Sequence, residues 1–238
     1  MIKTALITGS TRGIGKQIGL DLLNKGYFVY FNYANNDLEA ENLYHKLKIN
    51  YNNKFMIIRA NLSSIYEADK LLWQIKDNLD VLVLNAGITD RTPFGDIQVD
   101  KWVEVFNVNL NIPFYIIQKL KNKINSNGKI IFISSISGCT TDSVSISYGV
   151  SKGAINILVP YLAKEFAEKK ITVNSVVPGY IDTDWHKDKP EEQIKRIEKK
   201  CLAHRLGTTE EISKVVLSII ENNFINAQII RVDGGFGL

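Results

Sequence analysis

The sequence predicts an α/β fold: a doubly wound parallel sheet of about seven strands with helices on both faces. Two observations carry this. Short β-branched or apolar runs alternate with longer amphipathic segments along the whole chain. No repeat, low-complexity linker or long charge block interrupts that alternation, and 238 residues suit one domain of this class, so a single domain over 1–238 is expected.

In chain order, strands are expected near 3–8, 28–32, 54–59, 80–84, 128–134, 171–176 and 228–232, where the apolar runs are short and bounded by turn residues. Helices are expected near 13–25, 37–49, 64–77, 99–124, 148–169 and 209–222, with a shorter one near 190–200. Region 180–207 holds Pro190 and many charges and joins a strand end to a helix. It reads equally well as a mobile substrate lid or as a solvated helical insertion.

Composition removes several classes of function. The longest apolar runs, such as Val81 to Leu84 and Ile130 to Ile133, fall far short of the roughly 20 residues of a membrane span, so no membrane partner is expected. The first residues enter a strand at once, with no charged n-region or cleavage site, and Cys139 and Cys201 are too few for a disulfide framework. A cytoplasmic location is expected. His45, His186 and His204 are scattered, and no metal site is expected. The net charge of +4 is spread among acidic neighbours, which argues against nucleic acid and supports at most a weak preference for anionic substrates.

The first strand runs into Thr8-Gly9-Ser10-Thr11-Arg12-Gly13-Ile14-Gly15 and then a helix. Glycines let backbone approach a pyrophosphate, and the helix N-terminus supplies free N–H groups and positive potential. A Rossmann-type dinucleotide site follows, although the spacing is Gly-x-x-x-Gly-x-Gly rather than the general fingerprint. At the end of the second strand, where a carboxylate would meet an unphosphorylated ribose, stands Asn32; Asp37 lies five residues on, in the next helix. With no carboxylate to repel a 2′-phosphate and Arg12 to attract it, NADP(H) is favoured over NAD(H).

Tyr-x-x-x-Lys puts two side chains on one helix face. The pattern occurs four times, starting at Tyr44, Tyr66, Tyr115 and Tyr148, and only Tyr148 has a serine thirteen residues earlier. That residue, Ser135, sits just past an apolar strand, where open α/β sheets bind ligands. Alone, Ser135 could equally be a loop hydroxyl capping backbone. Together, the trio suggests a catalytic set. A phenol of ordinary pKa roughly 10 becomes a useful proton donor if a nearby ammonium, Lys152, stabilises its anion, while Ser135 polarises a carbonyl oxygen.

These residues together resemble the short-chain dehydrogenase/reductase family, from residue 2 to the C-terminus. Its further motifs appear in order as Asn85-Ala86-Gly87, Asn109, Pro178-Gly179 and Val232-Asp233-Gly234-Gly235. Within the family, Phe31-Asn32-Tyr33-Ala34, Asn85 to Thr89, Ile171 to Asn174 and Val177 to Asp184 are most similar to bacterial 3-oxoacyl-acyl carrier protein reductases and acetoacetyl-CoA reductases.

The resemblance implies that Asn109 holds the water of a proton relay from Lys152; on its own, Asn109 reads as a helix-interior amide bonding backbone. It also implies adenine contacts at Asn61 and Leu62, carboxamide and phosphate contacts at Ile181 and Thr183, and cofactor contacts at Asn85, Ala86, Gly87, Pro178, Gly179, Tyr148 and Lys152. An acyl thioester substrate, an acyl carrier protein partner and a homotetramer packed through helices 99–124 and 148–169 complete the expectation. Three features depart from the family's pattern: Leu84 stands for the first Asn of Asn-Asn-Ala-Gly, Ala227 for a common Gly, and Lys169 and Lys170 for the arginines of a carrier-protein surface. A reductase of another carbonyl (acetoacetyl-CoA, a polyketide intermediate or a sugar) and a non-catalytic NADP sensor are the alternatives.

Overall fold

The computed structural model describes residues 2–141 and 145–238. Seven parallel strands form one sheet in the order β3-β2-β1-β4-β5-β6-β7. They are β1 (Thr4–Ile7), β2 (Phe28–Tyr33), β3 (Phe55–Arg59), β4 (Leu79–Leu84), β5 (Ile124–Ile133), β6 (Thr172–Pro178) and β7 (Ile229–Val232). The helices are α1 (Gly13–Asn24), α2 (Asp37–Asn50), α3 (Ile65–Gln74), α4 (Val99–Phe106), α5 (Ile112–Leu120), α6 (Ile146–Glu165), α7 (Glu191–Lys200) and α8 (Thr209–Glu221).

Every residue of β1 and β6 is buried, as a parallel sheet covered on both faces requires. Successive residues alternate between two cores because strand side chains point to opposite faces. Leu6, Leu82, Ile130 and Phe132 pack with Ile116 and Ile117 of α5 and Ile155 and Val159 of α6. Their neighbours Ala5, Ile7, Val83 and Ile131 pack with Ile18 and Leu22 of α1 and Val216 and Ile219 of α8. A third cluster, of Ile136, Val177, Ile197, Cys201 and Phe236, seats α7 near the carboxyl end of β6. Among the described residues no helix is long and apolar enough to cross a membrane.

Two predicted elements need correction. The helix expected over 99–124 is broken by a π-helical turn at Asn107–Asn111 and ends at Leu120. Pro113 lacks the N–H that would bond the Asn109 carbonyl, so the ladder widens there. Strand β5 begins at Ile124, not 128: Leu79 pairs with Ile124 and Val81 with Lys129, and the extra residues between them bulge through Asn127 at φ +62°. The turn residues of this bulge hide the pairing before it.

Helix α1 lies tight against β2 at Gly19, where a Cβ would stand 2.2 Å from Cε1 of the fully buried Phe31 ring. Gly19→Ala is therefore expected to destabilise the fold by about 1–3 kcal/mol through overpacking. A lower urea midpoint with an unchanged denaturant slope would register this.

Candidate active site

Crossovers diverge between β1 and β4, and the crevice past their carboxyl ends is where such sheets hold ligands. A cleft of about 530 Å³ opens there. Its floor is the turn after β1. Gly9 has φ +60°, and a Cβ on it would lie 2.8 Å from the Ala86 Cα. Asn85 donates from Nδ2 to the carbonyls of Thr8 (3.0 Å) and Gly9 (2.7 Å), while Thr8 Oγ1 accepts from the backbone N–H groups of Asn85 and Ala86. The Asn85-Ala86-Gly87 segment thus clamps the turn from the β4 side.

Helix α1 follows with no side-chain cap at Arg12 and no acidic residue in its first turn. By contrast α2, α3, α6 and α8 are capped by Asn36, Ser64, Ser145 and Thr208. The N–H groups of α1 face the cleft beside Thr11, Arg12, Gly13 and Ile14, an arrangement receptive to an anion. A cradle that close glycine backbone leaves open, with an uncapped helix end beneath it, fits a pyrophosphate.

Ser10 and Gly15 stand behind the turn. The Ser10 hydroxyl donates to the Ile7 carbonyl at 2.8 Å and accepts from Asn32 N–H at 3.1 Å. Gly15 leaves space for Asn85 Nδ2, which would lie 2.5 Å from a Cβ there. Asn32 borders the cleft, but its amide is engaged within the protein: Nδ2 donates to the Ala60 carbonyl at 3.0 Å, and Oδ1 accepts from Gly9 N–H at 3.2 Å. Asp37, paired with Arg59 at 3.2 Å, opens α2. Asn61 and Leu62 form the adjoining wall.

At the other end, the sheet delivers Ser135 just beyond β5 and Tyr148 in the first turn of α6, and both side chains border the cleft. The Ser135 loop meets α6 through glycine: a Cβ on Gly138 would lie 2.6 Å from the backbone N of Gly153. Residues 142–144 of the connecting loop lie outside the described residues. One helical turn beyond Tyr148, the ammonium of Lys152 donates to the Ile133 carbonyl at 2.8 Å and sits 5.7 Å from the Tyr148 ring centre.

Burial pulls Lys152 down to about 8, so it remains largely charged at neutral pH. Burial also raises the Tyr148 phenol, outweighing the lowering by the Ser135 hydroxyl that bonds it, and Tyr180 adds to the rise. The phenol is therefore neutral at neutral pH, because burial disfavours its anion.

Asn109 is a helix-interior amide that bonds backbone, as its own sequence context suggests. It is 1% exposed, its Oδ1 accepts from Ile88 N–H at 2.9 Å, and its Nδ2 donates to the Ile88 carbonyl and to Ser151 Oγ, each at 3.0 Å. A Cβ at Gly87 would stand 3.3 Å from Asn109 Oδ1 and 3.4 Å from Lys152 Nζ, so Gly87 leaves open a gap that both residues border. Gly179 packs on Asp233, whose Cα would lie 2.7 Å from a Cβ there, and Pro178, Ile181 and Thr183 line the cleft opposite Gly13.

Other lining residues carry no sequence motif. The Trp185 ring lies 5.8 Å from that of Tyr148, the His186 ring 5.2 Å from that of Tyr180, and Arg91 Nη2 donates to the Trp185 carbonyl at 3.5 Å. They fall in segments 88–98 and 180–207, which had only their position between strand ends and helices to mark them.

A family profile described as short chain dehydrogenase matches residues 3–194. The chain is 32% identical over 240 residues to a 3-oxoacyl-[acyl-carrier-protein] reductase of Aquifex aeolicus, covering 98% of this chain and 96% of that one. Among solved structures it is similar to the Pseudomonas aeruginosa RhlG/NADP active-site complex (TM-score 0.90, 28% identity, 99% and 96% coverage). It is also similar to LugOII, a promiscuous reductase that catalyses keto-reduction at C1 during lugdunomycin biosynthesis (TM-score 0.91, 27% identity, 99% and 98% coverage).

Between pH about 8 and the ordinary 10.5 the unfolded chain binds the Lys152 proton more tightly than the fold does. Burial of this ammonium therefore costs stability below about 8, a cost that lessens as pH rises through that window. Lys152→Met is expected to stabilise the fold at pH 7 by about 2 kcal/mol, taking 1.36 kcal/mol per pKa unit less about 1 for the lost hydrogen bond. Urea titrations at pH 7 and pH 10.5 should show the gain at the first and little at the second.

Proposed function

The chain belongs to the short-chain dehydrogenase/reductase family, and from that membership we propose that it reduces the ketone of a 3-oxoacyl thioester to the 3-hydroxyacyl thioester with NADPH. The observation that carries this is the convergence of Ser135, Tyr148 and Lys152 on a cleft whose other end is an uncapped, glycine-lined helix N-terminus. When bound, the dihydronicotinamide supplies the hydride that reduces the carbonyl carbon. Thr11, Gly13 and Ile14 hold the pyrophosphate, Arg12 the 2′-phosphate, and Asn61 and Leu62 the adenine. Asn85, Ala86, Gly87, Pro178 and Gly179, with Ile181 and Thr183, frame the phosphate and carboxamide portions. Ser10, Gly15 and the Asn32 amide shape this site from behind.

Ser135 donates a hydrogen bond to the carbonyl oxygen, and Tyr148 delivers its proton as the oxygen becomes an alkoxide. A phenol kept neutral by burial is in the form a proton donor needs. Lys152 favours the transient phenolate by Coulomb attraction and returns a proton through the gap at Gly87, with Asn109 on its far side. The names of the relatives support the substrate: one is a 3-oxoacyl-[acyl-carrier-protein] reductase. Reduction of another carbonyl, such as a polyketide intermediate, is the second reading, supported by the likeness to LugOII as a promiscuous keto-reductase.

The chain works as one NADP-binding domain in a cytoplasmic setting, with residues 180–207 as its substrate lid. A homotetramer packs through α4, α5 and α6, where Val103, Phe114, Val150, Ile157 and Tyr161 leave apolar surface exposed. Lys169 and Lys170 face an acyl carrier protein.

Purified protein is expected to oxidise NADPH in the presence of acetoacetyl-CoA or a 3-oxoacyl carrier-protein substrate, and Tyr148→Phe to lower that rate by about 10²–10⁴-fold. Equal turnover by the variant would falsify the mechanism. In the wild type, kcat/KM for reduction should be level at neutral pH and fall as pH rises through about 8, where Lys152 loses its proton. Separately, Arg12→Ala should raise the KM for NADPH about tenfold while leaving that for NADH nearly unchanged, since a charge-assisted contact contributes about 1.5–3 kcal/mol. Parallel loss with both cofactors would remove Arg12 from the 2′-phosphate.

A further inference from the structure

Beyond the reacting groups, the mouth of the cleft carries two cations. Arg91 and Lys189 both border it, one from segment 88–98 and the other from segment 180–207. The two segments are tied where Arg91 Nη2 reaches the Trp185 carbonyl, and Trp185 in turn leans on the Tyr148 ring. Among the described residues neither cation forms an ion pair.

Nearby acids are mostly engaged elsewhere. Glu104 pairs with Lys101 at 2.8 Å, and Asp90 Oδ1 accepts from the Thr92 hydroxyl (2.6 Å) and N–H (3.1 Å), while its Oδ2 is buried without a partner. Asp184 also lines the cleft, with its residue exposed, and the exposed Asp182 partly opposes the lowering of His186. Between these groups His186 keeps a buried Nδ1 with no hydrogen-bond partner. Burial, reinforced by Lys189 and Arg91, pulls His186 down to about 4, so it adds no charge near neutrality. Burial and the neighbouring Arg91 also lower Lys189. Two cations that repel each other, beside a buried His186 Nδ1 that donates in its Nδ1–H tautomer, form a place that an oxyanion would complete.

We propose that Arg91 and Lys189, with His186 beside them, form an anion subsite that holds a phosphate or carboxylate of the oxo substrate while its ketone faces Tyr148. This rests on the ketone-reduction reading above and adds the substrate's chemical class: an oxo compound bearing an anionic group on the mouth side of its carbonyl. The group comes either from the phosphates of a pantetheine-type thioester carrier or from the carboxylate of a free oxo acid.

The test compares wild type with the double variant Arg91→Gln/Lys189→Gln, both saturated with NADP⁺, in calorimetric titrations with coenzyme A and with acetoacetate. One of the two is expected to bind wild type and to bind the variant at least about tenfold more weakly, with the affinity for NADP⁺ unchanged. Loss for coenzyme A identifies a phosphate, and loss for acetoacetate a carboxylate. Binding of neither by wild type, equal binding by the variant, or a loss appearing in the NADP⁺ affinity would each overturn the subsite. Kinetics separate it from the underlying reading. The variant should raise the KM of acetoacetyl-CoA or acetoacetate but not that of the neutral N-acetylcysteamine thioester; a matching rise with the neutral thioester overturns the subsite. If no ketone is reduced by wild type while the calorimetric difference persists, the reductase reading falls and the subsite stands.

Discussion

Most of the site follows from one buried charge. The Lys152 ammonium sits 3% exposed inside the protein and is held by the Ile133 carbonyl at the end of β5. An ammonium so desolvated is costly, and it persists because the fold's geometry encloses it on all but its cleft side. That geometry is supplied by the Ser135 loop, pressed on α6 through Gly138 and Gly153, and by the Ser134 hydroxyl, which donates to the Lys152 carbonyl at 3.0 Å. The contacts that bury the charge also bring Ser135 to Tyr148, so the cation and the phenol are placed by one packing event.

The same burial explains a tension between the two ionisable groups. Desolvation pushes the phenol up and the ammonium down, and each shift opposes its own charged form. At neutral pH the pair therefore rests as neutral phenol and charged lysine, the combination suited to giving a proton. The spacing of Tyr148 and Lys152 marks the partners, whereas the size of the desolvation is set by packing that no spacing reveals.

Much of the fold was legible because both faces of the sheet are covered: a strand buried all round is an apolar run, and the helices that cover it carry a regular stripe. Ser135 and Tyr148 could be paired because a strand end and a residue spacing coincide. What stayed hidden depends on one contact or one missing donor. Pro113 opens the turn that carries Asn109, and the Asn127 bulge disguises the start of β5. Asn32 stands at the end of β2 beside the cleft, and no spacing reveals that its amide also joins β2 to the glycine turn and to Ala60. Arg91, Trp185, His186 and Lys189 belong to no repeating pattern, and only folding brings them to one mouth.

The departures from the family pattern show where such a chain tolerates change. Leu84 is buried in the core on the α5 and α6 face, so the loss of an amide there is met by apolar packing. Ala227 occupies φ +59°, a left-handed conformation that costs an L-residue roughly 1–2 kcal/mol. It is held there because its N–H donates both to the Val173 carbonyl at 2.9 Å and to Asn226 Oδ1 at 3.0 Å. Neither position borders the cleft. The reacting end is held by backbone carbonyls, glycine contacts and a buried charge, which few substitutions can preserve. The mouth is built from side chains on two loops, and these can be exchanged without disturbing the packing that places Lys152. A shared chemistry with divergent substrates is the outcome this division of the cleft allows.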